Sequence, residues 1–251
     1  MLYIIGLGLY DEKDITLKGL EVLKKCKKIY AEFYTNLWHG RIENLEELAG
    51  NKIKILNRKI IEETPDEFLN HAKTEDTALL IPGDPMAATT HIDIVLRAEK
   101  LGIKVKIIHS SSIFSAVGEA GMQLYKFGKT TSIVFPEKNY FPESPYDSLR
   151  DNLKMNLHTL LLLDVKYDEN KYMTVNDGIE ILLQIEEKKG EGVFTKKTLC
   201  VGCVRLGGDE IIKFGTAEEL MKVDFGKPPH VLIVPAKLHF VEEEALLRFK
   251  I

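Results

Sequence analysis

The sequence of 251 residues predicts an α/β protein of two domains, with a mainly parallel sheet in residues 1–113 and a mixed sheet in residues 114–251. Three observations predict it. Short β-branched apolar runs alternate with helix-period segments throughout the first domain, the pattern of a parallel sheet covered on both faces. The second domain breaks that alternation with the paired runs "TLCVGCV" and "EIIKFG" around Gly207–Gly208, a hairpin signal. Between them, "EKNYFPESPYDSLRDNLKMNLH" sets three aromatics and two prolines ahead of an amphipathic helix, as a connection into the second domain would. The boundary falls between 110 and 130 and is placed after residue 113.

Each element follows in order. "MLYIIG" is a strand that ends in glycine, and Leu17, Leu20, Leu23 and Lys24 recur at helical spacing after the candidate cap Thr16. "KKIYAEF" is a second strand, "RIENLEELAG" a helix stopped by Gly50, "KIKIL" a short strand and "PDEFLNHAKT" a helix opened by proline. "TALLIPG" reads as a buried strand, "THIDIVLRAEKLG" as a helix and "IKVKIIHS" as a strand. In the second domain "TSIVF" and "TLLLLDV" are strands, "VNDGIEILLQIEEKKG" is a helix, and "HVLIVPA" is a last strand before a closing helix.

Composition narrows the function. The 34 basic and 38 acidic residues are interspersed, the formal charge is -4, and no basic stripe points to nucleic acid. No apolar run approaches the roughly 20 residues of a membrane span. The odd count of 3 cysteines and an N-terminus without secretory character fit a reducing cytoplasm. "CVGC" has the C-x-x-C spacing without a second pair, and Cys200 and Cys203 are expected in the core on the same side of one strand. The histidines are scattered, and no metal is predicted.

Three loops fall at strand ends, where an open α/β sheet binds its ligands. In "GLGLYDE", Gly6 and Gly8 suggest a dinucleotide turn, but the third glycine of that fingerprint would stand at position 11, which is Asp11. A carboxylate there sits poorly against a pyrophosphate. In "PGDPMAATTH", Gly83 permits a restricted backbone conformation, Pro82 and Pro85 stiffen the flanks, and Asp84 is held at the tip. That suits a cationic ligand. The plainer alternative is a turn in which Asp84 bonds its own backbone and Thr89 caps the next helix, with His91 in a structural place in that helix's first turn. The third loop is "HSSSIFS".

The stretches "YIIGLGLYDEKDITLKGLEVLKKCKKIYAEFYT", "IPGDPMAATTHIDIVLRAEKLGIKVKIIHSSSIFSAVGEAGMQLYKFGKT" and "PPHVLIVPAKLHFVEEEAL" together resemble the tetrapyrrole (corrin/porphyrin) methyltransferase superfamily. The glycine loop points to the superfamily, and "GDPMAATTH" with "HSSSIFSAVGEAGMQLYKFG" is more specific to its diphthine synthase branch. The resemblance implies two α/β domains of the tetrapyrrole methylase type, S-adenosylmethionine in the interdomain cleft, and a homodimer. It implies methylation of the amino group of a 3-amino-3-carboxypropyl-histidine on translation elongation factor 2, giving trimethylated diphthine.

Cofactor contacts carried over on matching positions are Leu9, Asp84, Ala87, Ser112 and Ile113 in the first domain, and Leu163, Arg205, Leu206 and His230 in the second. Asp84 is expected to pair with the cofactor's α-ammonium group. The acceptor amine must shed a proton before it can attack, and His91, His109 and Asp164 are candidate acceptors that sequence leaves unranked. Tyr140, Phe141 and Tyr146 are candidates to line an entrance for the protein substrate, or else to pin a linker. A small-molecule corrin methylase and a non-catalytic S-adenosylmethionine-binding module are the alternative readings.

Overall fold

Leu2, Ile4, Leu79 and Ile81 turn to one side of a five-stranded sheet, and Ile5, Ala78 and Leu80 turn to the other. Strands buried on both faces read as continuous apolar runs, which is why "YII" and "ALLI" lack alternation. In the computed structural model, which describes residues 1–138 and 140–251 and leaves Asn139 of the aromatic stretch outside, the chain divides into Met1–Ile113 and Phe114–Ile251.

The first unit is built from β1 (Leu2–Gly6), α1 (Leu17–Leu23), β2 (Lys28–Ala31), α2 (Ile42–Ala49), β3 (Ile53–Ile55), α3 (Arg58–Glu62), α4 (Asp66–Thr74), β4 (Thr77–Ile81), α5 (Ile92–Lys100) and β5 (Val105–Ile108). All pairings are parallel, in the order β3-β2-β4-β1-β5. Thr16 caps α1 by accepting from Gly19 N–H, and Gly50 ends α2 in the left-handed region at φ 70°. The sequence gives no warning of α3, a single turn capped by Asn57. Fully burying a leucine contributes about 1.5–3 kcal/mol. With Leu79 and Leu80 both fully buried, β4 is the central strand of the sheet.

A short turn, α6 (Ile113–Ala116), precedes the second sheet. That unit contains β6 (Thr131–Ile133), α7 (Ser144–Lys154), β7 (Thr159–Leu163), the small hairpin β8 (Val165–Lys166) and β9 (Lys171–Tyr172), α8 (Val175–Lys189), β10 (Leu199–Val204), β11 (Ile211–Thr216), α9 (Ala217–Leu220), β12 (His230–Val234) and α10 (Phe240–Leu247). Its main sheet runs β11-β10-β12-β7-β6, with β6 and β7 parallel and the other pairs antiparallel. The sheet is mixed, as the hairpin signal predicts. Thr174 and Asp177 close a reciprocal capping box at the start of α8, and Gly190 ends it at φ 65°. Among the described residues no helix is long and apolar enough to cross a membrane.

Two expectations are corrected in this unit. Cys200 and Cys203 lie three apart on β10, so the two-residue period of a strand sends them to opposite faces. Cys200 joins the core against α7 and α8, while Cys203 is buried outside that core. Tyr146 lines no entrance: it is wholly buried, and its hydroxyl donates to Glu186 Oε2 at 2.7 Å. Phe141 packs on the same core with the Lys188 ammonium 3.8 Å from its ring centre, and only Tyr140 is exposed.

The second unit also encloses an ionic hub. Glu242, buried completely, accepts from His239 N–H at 2.8 Å, from Gln123 N–H at 3.0 Å and from His158 Nε2 at 3.1 Å, and pairs with Lys126 Nζ. His158 Nδ1 accepts from Ala236 N–H at 3.0 Å, so its proton resides on Nε2 and points at Glu242. Burial pushes the Glu242 carboxyl up, but the bonds from His239, Lys126, Gln123 and His158 outweigh it and hold the group at about 2. Burial lowers His158 against the pull of that carboxylate.

Candidate functional site

The strand order makes β4, β1 and β5 neighbours, so the loops that leave their carboxyl ends meet. Gly8 N–H donates to Gly83 O at 3.2 Å and Gly83 N–H to Gly8 O at 2.8 Å, an antiparallel bridge between the glycine loop and the PGDP loop. Leu7 N–H extends the contact to Ile81 O at 2.8 Å. Gly6 is required by closeness: a Cβ would stand 2.5 Å from Gly83 O and 2.8 Å from Ser110 Cβ. Gly8 adds a positive φ of 82°, and a Cβ there would run into Asp14.

Acidic side chains stitch the three loops. Asp14 Oδ2 accepts from Tyr10 N–H at 2.7 Å, while its carbonyl accepts from Ser110 Oγ at 3.4 Å. Asp11, the residue that breaks the dinucleotide fingerprint, caps this turn through Lys13 N–H at 2.8 Å. Asp84 Oδ1 accepts from Met86 N–H at 2.9 Å, and Oδ2 accepts from Ser110 N–H at 3.1 Å and from His109 Nδ1 at 2.8 Å. Asp84 therefore does bond its own loop, as the plainer reading expects, and it also reaches across to the loop after β5. Thr89 does not cap the next helix. Its hydroxyl donates back to Pro85 O at 2.6 Å, and α5 begins after His91 without a side-chain cap.

Leu9, Ala87, Ser112 and Ile113 lie half-buried on these three loops. Within the second unit, Leu163 ends β7, Arg205 and Leu206 follow β10, and His230 opens β12, where it pairs with Val204. The pairing of Val231 with Leu162 brings Leu163 to the same end of that sheet. Side chains here are committed to the fold. Arg205, in the left-handed region at φ 49°, bonds Asp209 Oδ1 at 3.0 Å and the Lys227 carbonyl. His230 Nδ1 accepts from Val175 N–H at 3.2 Å, so Nε2 donates toward Gly226 O and Lys227 O. Burial lowers this histidine, which keeps it neutral. What these residues leave for a ligand is main chain.

Sequence reasoning missed a fourth loop, which leaves β2 next to β4. Glu32, fully buried, accepts from Thr35 Oγ1 at 2.6 Å and Thr35 N–H at 3.2 Å, and stands 3.4 Å from His91 Nε2. His91 is buried beside it at the far end of the PGDP loop, with neither ring nitrogen in a hydrogen bond. An acid in the otherwise apolar "IYAEF" was the available signal. His39 stacks on Tyr10 at 4.7 Å and donates its N–H to Tyr10 O at 2.9 Å, joining this loop to the glycine loop. Elsewhere, an open pocket of about 310 Å³ in the second unit, lined by Phe114, Val117, Leu124, Phe127 and Thr130 among others, holds none of the predicted site residues.

Comparison with known proteins adds to this geometry. The family of tetrapyrrole (corrin/porphyrin) methylases matches residues 1–220. A diphthine synthase of Methanocaldococcus jannaschii is 51% identical over 250 residues, covering 98% of this chain and 97% of that protein. One from Methanococcus aeolicus is 51% identical over 248 residues, covering 98% and 96%. A crystal structure of a diphthine synthase superimposes with a TM-score of 0.90 at 39% identity, covering 99% of this chain and 95% of the other.

Proposed function

The chain belongs to the tetrapyrrole (corrin/porphyrin) methylase family, and from that membership we propose that it is a diphthine synthase. Its acceptor is the amino group of the 3-amino-3-carboxypropyl chain on a histidine of translation elongation factor 2, carried to the trimethylated product. The observation that carries this reading is identity of 51% to a diphthine synthase across 98% of the chain. Cytoplasmic location and a homodimer belong to the same proposal.

S-adenosylmethionine, when bound, supplies an electrophilic methyl group on a sulfonium. The residues present fit it. Gly6 and Gly8 let the first loop lie directly on the second, leaving Leu9, Ala87, Ser112 and Ile113 half-buried at the strand ends. Asp84 offers about four acceptor positions. Three are used by Met86, Ser110 and His109, so one is left for an ammonium group. Leu163, Arg205, Leu206 and His230 are proposed to complete the contacts through their backbone. The chain's task is alignment and removal of the amine's proton.

Mass spectrometry tests the reading directly. Elongation factor 2 carrying the aminocarboxypropyl-histidine should gain successive methyl increments at that histidine alone when incubated with the protein and S-adenosylmethionine. No increment, with cofactor binding intact, would remove the assignment. Asp84→Asn should weaken cofactor binding by calorimetry about tenfold, equivalent to about 1.4 kcal/mol. Unaltered affinity would take Asp84 out of the contact set.

A further inference from the structure

Three groups were candidates to take the acceptor amine's proton, and the structure separates them. Asp164 is spent on the fold, its Oδ2 accepting from Phe135 N–H at 3.0 Å and its carbonyl from Met173 N–H at 2.9 Å. His91 is sealed in the interior against Glu32. His109 stands at the carboxyl end of β5, amid the glycine and PGDP loops, with its side chain 69% exposed and its Nδ1 2.8 Å from Asp84 Oδ2.

We propose that His109, oriented by Asp84, is the base that deprotonates the acceptor amine; this rests on the methyltransferase reading above. A carboxylate accepts hydrogen bonds, so the proton of the neutral ring lies on Nδ1 and the Nε2 lone pair faces outward. A histidine with one nitrogen held by a carboxylate and the other free to take a proton is a recurring general base. Asp84 is itself fixed by Ser110 N–H and Met86 N–H, so the ring has a stationary support. The other charged groups of the glycine loop are Asp11, Glu12, Lys13 and Asp14; Asp11 and Asp14 are committed to the turn through Lys13, Tyr10 and Asp11 N–H, and Glu12 accepts from Arg41 N–H and Asn44 Nδ2.

The step balances. An N–H bond of the substrate ammonium breaks, its electron pair stays on nitrogen, and the proton binds His109 Nε2, giving an imidazolium beside the Asp84 carboxylate. The neutral amine then forms the N–C bond while the C–S bond breaks and its pair returns to sulfur. His109 gives up its proton to solvent before the next transfer. The positive charge lost by the sulfonium reappears on the methylated nitrogen.

His109→Asn keeps a donor for Asp84 and removes the ring base, and at so exposed a position it leaves no cavity. Single-turnover methyl transfer at saturating cofactor should fall about 100-fold at neutral pH, with calorimetric affinity for S-adenosylmethionine unchanged. The wild-type rate should level off with pH once the base is neutral, whereas the variant's should keep climbing with hydroxide, and added imidazole should restore part of the rate. Independently of turnover, ring ¹⁵N shifts of the cofactor-free protein should show His109 as the Nδ1–H tautomer. A wild-type rate and pH profile in His109→Asn, or an Nε2–H tautomer, overturns the proposal. Failure of the wild-type protein to methylate the factor overturns the functional reading instead, and the tautomer measurement stands apart from it.

Discussion

Glu242→Gln is expected to cost the second unit about 3–5 kcal/mol, because it strips the anion from a buried set of donors and leaves the Lys126 ammonium without its partner. For a chain of this size that corresponds to a fall in melting temperature of roughly 6–20 °C. Volume is nearly conserved, so a cavity contributes nothing and the loss reports on charge. The pH dependence has a definite sign. The carboxyl is held at about 2 in the fold, against about 4.3 in an unfolded chain. Its contribution is therefore complete above the unfolded value and is lost as pH falls from there toward about 2. Denaturant titrations should show a constant gap between wild type and variant from neutral pH down to the ordinary carboxylate range, and a closing gap below it. Equal stability at neutral pH would show that His158 and Lys126 are satisfied some other way.

Gly6→Ala should be the most damaging single methyl in the first unit. The added carbon meets Gly83 O at 2.5 Å and Ser110 Cβ at 2.8 Å, on two different loops, and neither neighbour is the end of a flexible side chain. Relief requires parting the Gly8–Gly83 bridge or bending β1 away from β4. Overpacking of this kind costs about 1–3 kcal/mol. If the three loops hold the cofactor, most of that cost falls on affinity, a loss of roughly 10- to 100-fold. Gly83→Ala is the control: a Cβ there meets nothing within 4 Å, and only its φ of 72° opposes it, a strain of about 1–2 kcal/mol. Calorimetry with S-adenosylmethionine on both variants decides the matter, and wild-type affinity in Gly6→Ala would sever these loops from the cofactor.

Much of this architecture was readable because it is local. Gly50 announces a helix end, Thr16 announces a start, and Gly207–Gly208 marks the turn between β10 and β11. The three loops at the strand ends were legible for the same reason, since glycine and proline punctuate strand ends. What escaped depends on partners distant in sequence. Glu32 and His91 are separated by α2, β3, α3, α4 and β4, and Glu242 meets Gln123, Lys126 and His158. Composition registers such residues only as scattered charges. The cysteine error had another origin: a strand alternates at every residue, so a spacing of three, which unites residues on a helix, divides them on a sheet.

That division leaves the molecule with chemical clocks. Only a thiolate that solvent can reach is alkylated quickly, and burial drives the thiol of Cys203 up to about 12 and raises that of Cys200 as well. Each stays silent until its own surroundings part. Cys200 times the loosening of the helical layer formed by α7 and α8, Cys203 times the opposite side of β10, and Cys26, buried in the core beneath α1 and α2, times the other unit. Mass-resolved labelling under mild denaturant would give the sequence in which this protein comes apart without a single residue being changed.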